Sequence, residues 1–150
     1  MSELRELYQQ IILDHNKAPR NYGRLADANR DSEGYNPLCG DHLQVFAQVQ
    51  DGTIRRISFE GSGCAISRAS ASLMTAALEG RTVAEAEAIF AQFHQMLLSA
   101  ADAPVDRDQL GKLAALAGVR EFPMRVKCAT LPWHTAMAAV SGHNTPVSTE

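Results

Sequence analysis

The sequence predicts an α+β fold, a small antiparallel β-sheet with helices packed on one face. Three observations carry this expectation. Residues 43–49 alternate between apolar and more polar positions, an Asp-Gly pair follows, and the apolar period then turns helical for the rest of the chain. A chain of 150 residues suits a single domain, 1–150, with a sizeable core, and no internal repeat or linker divides it.

The elements follow in order. Ser2 is placed to cap a first helix, where Leu4, Leu7, Ile11 and Ile12 share one face. That pattern stops near Asn16, and Pro19 opposes its continuation. Residues 16–38 are polar, carry Pro19, Gly23, Gly34 and Pro37, and read as a long, mostly irregular approach. Leu43, Val45, Ala47 and Val49 then form a strand pattern. Asp51-Gly52 is a strong hairpin signal, and residues 53–60 return with Ile57 and Phe59 on one face. From Ala65 onward, Ile66, Ala69, Ser70, Leu73, Met74 and Ala77 share a helical face whose small residues allow close packing. Gly80 is a natural stop. Thr82 and Glu85 make a capping box for a helix running to about Leu98. A further helix is expected near Asp108 to Ala117, ended by Gly118. The stretch E-F-P-M-R-V-K leads to Cys128. Trp133, Ala136, Met137 and Val140 mark a last helix, with Pro132 in its first turn. Residues 142–150 are polar and read as a flexible tail.

Composition narrows the function classes. The chain is 45% hydrophobic and 21% charged, with 14 basic against 17 acidic residues and a formal charge of -3. No basic block suggests nucleic acid. The N-terminus mixes charges and has no apolar h-region, so no signal peptide is expected. No run approaches the roughly 20 apolar residues that span a bilayer, so no membrane partner is expected. The expected compartment is the cytoplasm, where thiols stay reduced.

The three cysteines are Cys39, Cys64 and Cys128. An odd count without a CxxC argues against a disulfide framework, a zinc ribbon or a thioredoxin-like site. Each is expected at an element boundary: Cys39 on the turn N-P-L-C-G-D, Cys64 after Gly61-Ser62-Gly63, and Cys128 just before the last helix. A helix N-terminus lowers a thiol's pKa, which would serve Cys64 and Cys128. Arg68, Arg125 and Lys127 add positive charge nearby in sequence. A lone cysteine is commonly a small buried hydrophobe. Three on turns and helix starts point instead to a metal. Zinc takes four ligands, and three thiolates with Asp41 supply four. Gly40 allows the tight backbone between Cys39 and Asp41. Asp41 read alone is also an ordinary turn residue. The alternative fourth ligand is an imidazole: His42 is expected to project the other way, and His94 and His134 fall on helices where packing or exposure explains them. His15 and His143 carry no supporting context. A carboxylate is a harder ligand than sulfur, so a site of this composition is expected to be exchangeable. A Cys–His hydrolase has little support, because no nucleophile–base pair stands out.

The motifs D-H-N-K-A-P-R-N-Y-G at 14–23, N-P-L-C-G-D at 36–41, G-S-G-C-A-I-S-R-A-S-A-S at 61–72 and R-V-K-C-A-T-L-P-W at 125–133 span most of the chain. In them the sequence resembles the U-type iron–sulfur scaffold family, and most closely its SufU-type branch. The resemblance implies a SufE/IscU-like fold and a metal or cluster site at Cys39, Asp41, Cys64 and Cys128. It implies zinc as the metal, with iron or a [2Fe-2S] cluster at the same ligands as the alternative. It also implies that Cys39 accepts persulfide sulfur from a SufS-type cysteine desulfurase, for delivery to downstream iron–sulfur assembly proteins. Lys127 stands where the IscU branch has a histidine, and the segment between Cys64 and Cys128 is long and helical, as in SufU-type members. The L-P-P-V-K chaperone segment of the IscU branch is only distantly echoed by F-P-M-R-V-K. Arg125 is placed to steer an anionic persulfide or to serve as an ordinary surface charge. The expected function is therefore zinc-dependent, sulfurtransferase-like delivery of sulfur. A [2Fe-2S] scaffold is the alternative, and a structural zinc-binding interaction module the lesser one.

Overall fold

The structure, a computed structural model, describes residues 2–142 and 146–148, with side chains from residue 6 onward. Helix α1 is Ser2–Lys17. Strands β1 (Arg30–Asn36), β2 (Asp41–Gln50) and β3 (Thr53–Ser62) follow, then helices α2 (Ala65–Leu78), α3 (Val83–Leu98) and the short α4 (Arg107–Leu110). A 3-10 segment, Gly111–Glu121, leads into α5 (Pro123–Val140), and β4 is Val147–Ser148. The capping role of Ser2, the place of Leu4 on the α1 face and any role of His143 lie outside the described side chains.

The sheet runs β3-β2-β1-β4, antiparallel except that β4 lies parallel to β1. Asp51 and Gly52, at φ 53° and 74°, make the β2–β3 hairpin turn. Val45 pairs with Phe59 and Ala47 with Ile57, so these side chains share a face. A bulge between Gln48 and Val49 lets Val49 pair with Ile54. Buried Trp133, Leu131, Phe93, Met74 and Leu78 pack against this side. The opposite face holds the pair Phe46 and Ser58, with the Arg24 guanidinium 5.4 Å above the Phe46 ring.

The sequence expectations need three corrections. Residues 30–36 form β1 rather than an irregular approach. Its inward positions are Ser32, Gly34 and Asn36, so no apolar alternation announces it. Those small residues are required by α5, since a Cβ on Gly34 would overlap the Thr135 hydroxyl. Second, the helix expected over 108–117 is α4 followed by a tighter coil. Gly111, at φ 56°, ends α4. Leu113, Leu116 and Val119, buried at every third position, match the 3-10 period, and the segment runs through Gly118 to Glu121. Third, α5 starts at Pro123, not near Cys128. Pro123 sits in its first turn, Cys128 lies in the body of the helix, and Pro132 is interior. Pro132 has no N–H for the Cys128 carbonyl, while the adjacent Ala129 carbonyl accepts from the Ser70 hydroxyl at 2.5 Å.

His15, for which the sequence offered no context, is buried with Nδ1 2.6 Å from the Ser72 hydroxyl. Arg20 N–H donates to the same oxygen at 2.8 Å, and Asn21 Nδ2 donates to Thr75 Oγ1 at 3.2 Å. The 14–23 motif thus straps α1 to α2. Residues 147–148, inside the stretch read as a tail, pair with Gly34 and Tyr35 of β1. Among the described residues no helix is long and apolar enough to cross a membrane.

Candidate metal centre

Three elements converge at one end of the sheet. The β1–β2 turn supplies Cys39. The Asn36 carbonyl accepts from Gly40 N–H at 2.9 Å, and Asn36 Oδ1 accepts from Leu38 N–H at 3.0 Å. Gly40, at φ 74°, takes the left-handed conformation that returns the chain into β2. Asp41 is the first residue of β2, pairs with Asn36 and is buried. Cys64 caps α2, where its sulfur accepts from Ser67 N–H at 3.4 Å. Cys128 comes from the second turn of α5 and is only 4% exposed.

Asp41 organises the cluster. Its Oδ1 accepts from Cys64 N–H at 2.8 Å, leaving Oδ2 3.3 Å from Cys39 Sγ and 3.7 Å from Cys64 Sγ. Gly63 leaves the space for this carboxylate, because a Cβ there would stand 2.6 Å from Oδ1. Cys39 Sγ and Cys128 Sγ are 3.0 Å apart. The ligand atoms of Cys39, Asp41 and Cys128 all lie within 4.8 Å of one another. The structure therefore gathers Cys39, Asp41 and Cys128 into one group, while Cys64 joins through Asp41 with its sulfur outside the set whose ligand atoms all lie within 4.8 Å of one another. It also adds Gly63, whose signal was the G-S-G run before Cys64.

The electrostatics differ from the expectation for Cys128. Buried in the body of α5, it gains no free helix terminus. Burial pushes its thiol far above the ordinary cysteine value, and contacts with Cys39, Asp41 and Cys64 push the same way. Burial also raises Cys39, and Asp41 adds to that, against a lowering contact from Cys128. A cation among these groups would reverse that balance by favouring each anion. The spacing of Cys39, Asp41 and Cys128 fits one, and Cys64 would have to close in to become the fourth donor. Thiolates at about 2.3 Å and a carboxylate oxygen at about 2.0 Å from a tetrahedral zinc lie about 3.5–3.8 Å apart. The two oxygen–sulfur separations come within a few tenths of that range, and the Cys39–Cys128 pair needs to open by less than about 1 Å.

The other candidates lie elsewhere. His42 is exposed and 3.9 Å from Glu33. His94 and His134 pack around Phe90 and each other, and burial lowers the His134 pKa. The Arg125 guanidinium sits 4.9 Å over the Phe122 ring and that of Arg68 5.5 Å over Tyr22. Leu38, next to Cys39, and Phe122 and Met124, at the start of α5, are large apolar side chains left 58%, 49% and 47% exposed.

Comparisons with known proteins identify the family. Residues 7–129 match the NifU-like N terminal domain. The zinc-dependent sulfurtransferase SufU of Bacillus subtilis is 41% identical over 133 residues, covering 88% of each chain. The iron–sulfur cluster assembly scaffold protein IscU of Streptococcus pyogenes is 37% identical over 140 residues, 93% of this chain and 86% of that relative. A crystal structure from Fervidobacterium islandicum, of a candidate cluster assembly scaffold for the SUF system, superposes with a TM-score of 0.80. It is 33% identical and covers 91% of this chain and 98% of that one. With sequence, fold and the gathered thiols in agreement, the chain belongs to the NifU-like N-terminal domain family, that of IscU- and SufU-type iron–sulfur cluster assembly proteins.

Proposed function

We propose that this protein transfers sulfur in iron–sulfur cluster assembly, holding zinc through Cys39, Asp41, Cys64 and Cys128 and accepting persulfide sulfur on Cys39 from a SufS-type cysteine desulfurase. The observation that carries this reading is the graded accessibility of the three thiols: Cys39 exposed, Cys64 intermediate, Cys128 buried. Zinc, when bound, would keep the thiols deprotonated. Cys39 is the one an incoming persulfide reaches. Its thiolate attacks the terminal sulfur of the desulfurase persulfide. A new S–S bond forms on Cys39, the old one breaks, and the desulfurase thiolate leaves, with no net oxidation. Exposed Leu38, next to Cys39, offers apolar surface for docking. The 41% identical zinc-dependent sulfurtransferase supports the same reading.

The second reading is a scaffold that assembles and hands on a [2Fe-2S] cluster on the same ligands, favoured by the 37% identical scaffold protein. One experiment separates the two. The purified protein is assayed for metal and mixed with a SufS-type desulfurase and cysteine. Sulfur transfer predicts about one zinc per chain, a large rise in desulfurase turnover, and loss of that rise in Cys39→Ala. Unchanged turnover with the wild-type protein would sink it, and a stable, transferable [2Fe-2S] cluster would establish the scaffold.

A further inference from the structure

The 14–23 motif contributes to a second place in the molecule that the sulfur chemistry does not use. His15 and Arg20 of that motif, together with Arg81 and Lys112, line a cavity of about 430 Å³ among α1, α2, α3, α4 and the 3-10 segment. We propose that this cavity binds a small organic anion, a phosphate or carboxylate head on an apolar body.

Arg20, Arg81 and Lys112, with His15 beside Arg20, bring basic side chains from three separated parts of the chain together in a protein whose formal charge is -3. No Asp or Glu lines the cavity among the described residues. Carboxylates near its rim are Asp14, exposed beside His15 and bonded to Gln10, Glu85, 3.9 Å from Arg81, and Asp106, which accepts from the Gln109 N–H at 3.1 Å. Glu85 forms a half-exposed ion pair with Arg81, leaving Arg20 and Lys112 as the cations without a carboxylate on the cavity wall. Below the charges the wall is apolar, formed by Leu73, Leu110 and Leu113, of which Leu73 and Leu113 are buried at 3% and 5% exposure. Apolar walls with a few convergent polar groups are the usual make-up of small-ligand sites, whose volumes start at about 300 Å³.

His15 is the most constrained member. It is 4% exposed, and its Nδ1 is held by the Ser72 hydroxyl, so Nε2 is the ring nitrogen left for a ligand. Burial first, then the positive charges of Arg20 and Lys112, holds its pKa below the ordinary histidine value. Arg20 and Lys112 line the same cavity as the ring. The cavity is remote from the thiols: Leu73 is nine residues along α2 from Cys64, about 13 Å of helical rise. The proposal therefore stands independently of the sulfur-transfer reading.

The test is a titration of the full-length, zinc-loaded protein followed by backbone amide NMR at low salt. The probes are phenyl phosphate, phenylacetate and inorganic phosphate. The expected result is saturating shifts at Leu73, Ile89 and Leu113 with one of the ring-bearing probes, with a Kd below about 1 mM. That affinity should be about tenfold tighter than for inorganic phosphate, and the tighter ring probe identifies the head group. Lys112→Gln and Arg81→Gln, both at exposed positions, should each weaken it several-fold to about tenfold. Ala76→Trp, which fills the cavity from α2, should abolish it. The proposal is overturned if neither ring probe saturates, if the shifts centre on the thiol corner, or if both charge variants bind as the wild type does.

Discussion

Cys39 and Cys128 touch across 3.0 Å yet belong to opposite kinds of structure. Cys39 rides a turn held by two backbone bonds to the Asn36 carbonyl, at Gly40 and at 3.3 Å from its own N–H. Cys128 is fixed in the body of a long helix, at 4% exposure, against the core. Asp41 and Cys64 stand with Cys128, locked together by the Cys64 N–H bond and the space that Gly63 leaves. On the zinc reading proposed above, Cys39 is an exposed lip and Asp41, Cys64 and Cys128 a more buried floor. On that proposal, a thiol that leaves a metal, takes sulfur and returns is best carried on the lip.

The strongest way to break this contrast is to remove the metal. A chelator should lower stability by about 4 kcal/mol or more where zinc stands a thousandfold above its Kd. Hydrogen exchange should then rise more at residues 38–40 than at residues 127–129, and equal loss at both would end the distinction. Gly63→Ala comes next, because its Cβ must displace the Asp41 carboxylate. A loss of about 1–3 kcal/mol in denaturant melts, with weakened zinc binding, is expected. Cys128→Ala in the metal-free protein should cost about 1–2 kcal/mol for the buried sulfur, against less than about 0.5 for exposed Cys39→Ala. Similar costs for the two would show that the turn is as rigid as the helix. Gly40→Ala sharpens the contrast from the other side. Its left-handed backbone should cost about 1 kcal/mol while leaving the Asp41–Cys64 contact intact, as read by zinc stoichiometry.

The smallest effect concerns pH and a region outside the contrast. The folded-state pKa of His15 is lowered, chiefly by burial. The unfolded chain therefore takes up a proton first as pH falls. His15 contributes stability that is present above the ordinary histidine range and is lost as pH drops through the lowered folded value. Melts of the wild type should fall more steeply below about pH 6.5 than those of His15→Gln. Parallel curves would remove His15 from the acid-sensitive groups.

The four residues of the floor and lip were legible because their chemistry is local. Cys39, Gly40 and Asp41 share a turn, and Cys64 follows a glycine pair at a helix cap. What the sequence concealed depends on packing. β1 carries Ser32, Gly34 and Asn36 inward because α5 passes too close for anything larger at Gly34, so no apolar alternation remained to be read. The start of α5 was hidden by two prolines of opposite meaning. Pro123 opens the helix, whereas Pro132 is carried inside it at the cost of one backbone bond. Misplacing that start put Cys128 at a helix terminus and its thiol in the wrong electrostatic setting. The role of His15 required Ser72, 57 residues away, which no spacing rule connects to it.

The sheet's two rims have a consequence for recruitment. β3 is shielded on its outer side where Phe59 exchanges backbone bonds with Asn21 and Gly23 and where Ile54 bonds to Arg81 and Gly80. β1 is shielded at Gly34 and Tyr35 by β4. Among the described residues, each rim is covered along part of its length, which shortens the run on which an extended peptide could add as a strand. Recognition of this protein then rests more on side chains. Among the exposed apolar side chains, Leu38 is the one that adjoins a cysteine of the site in sequence.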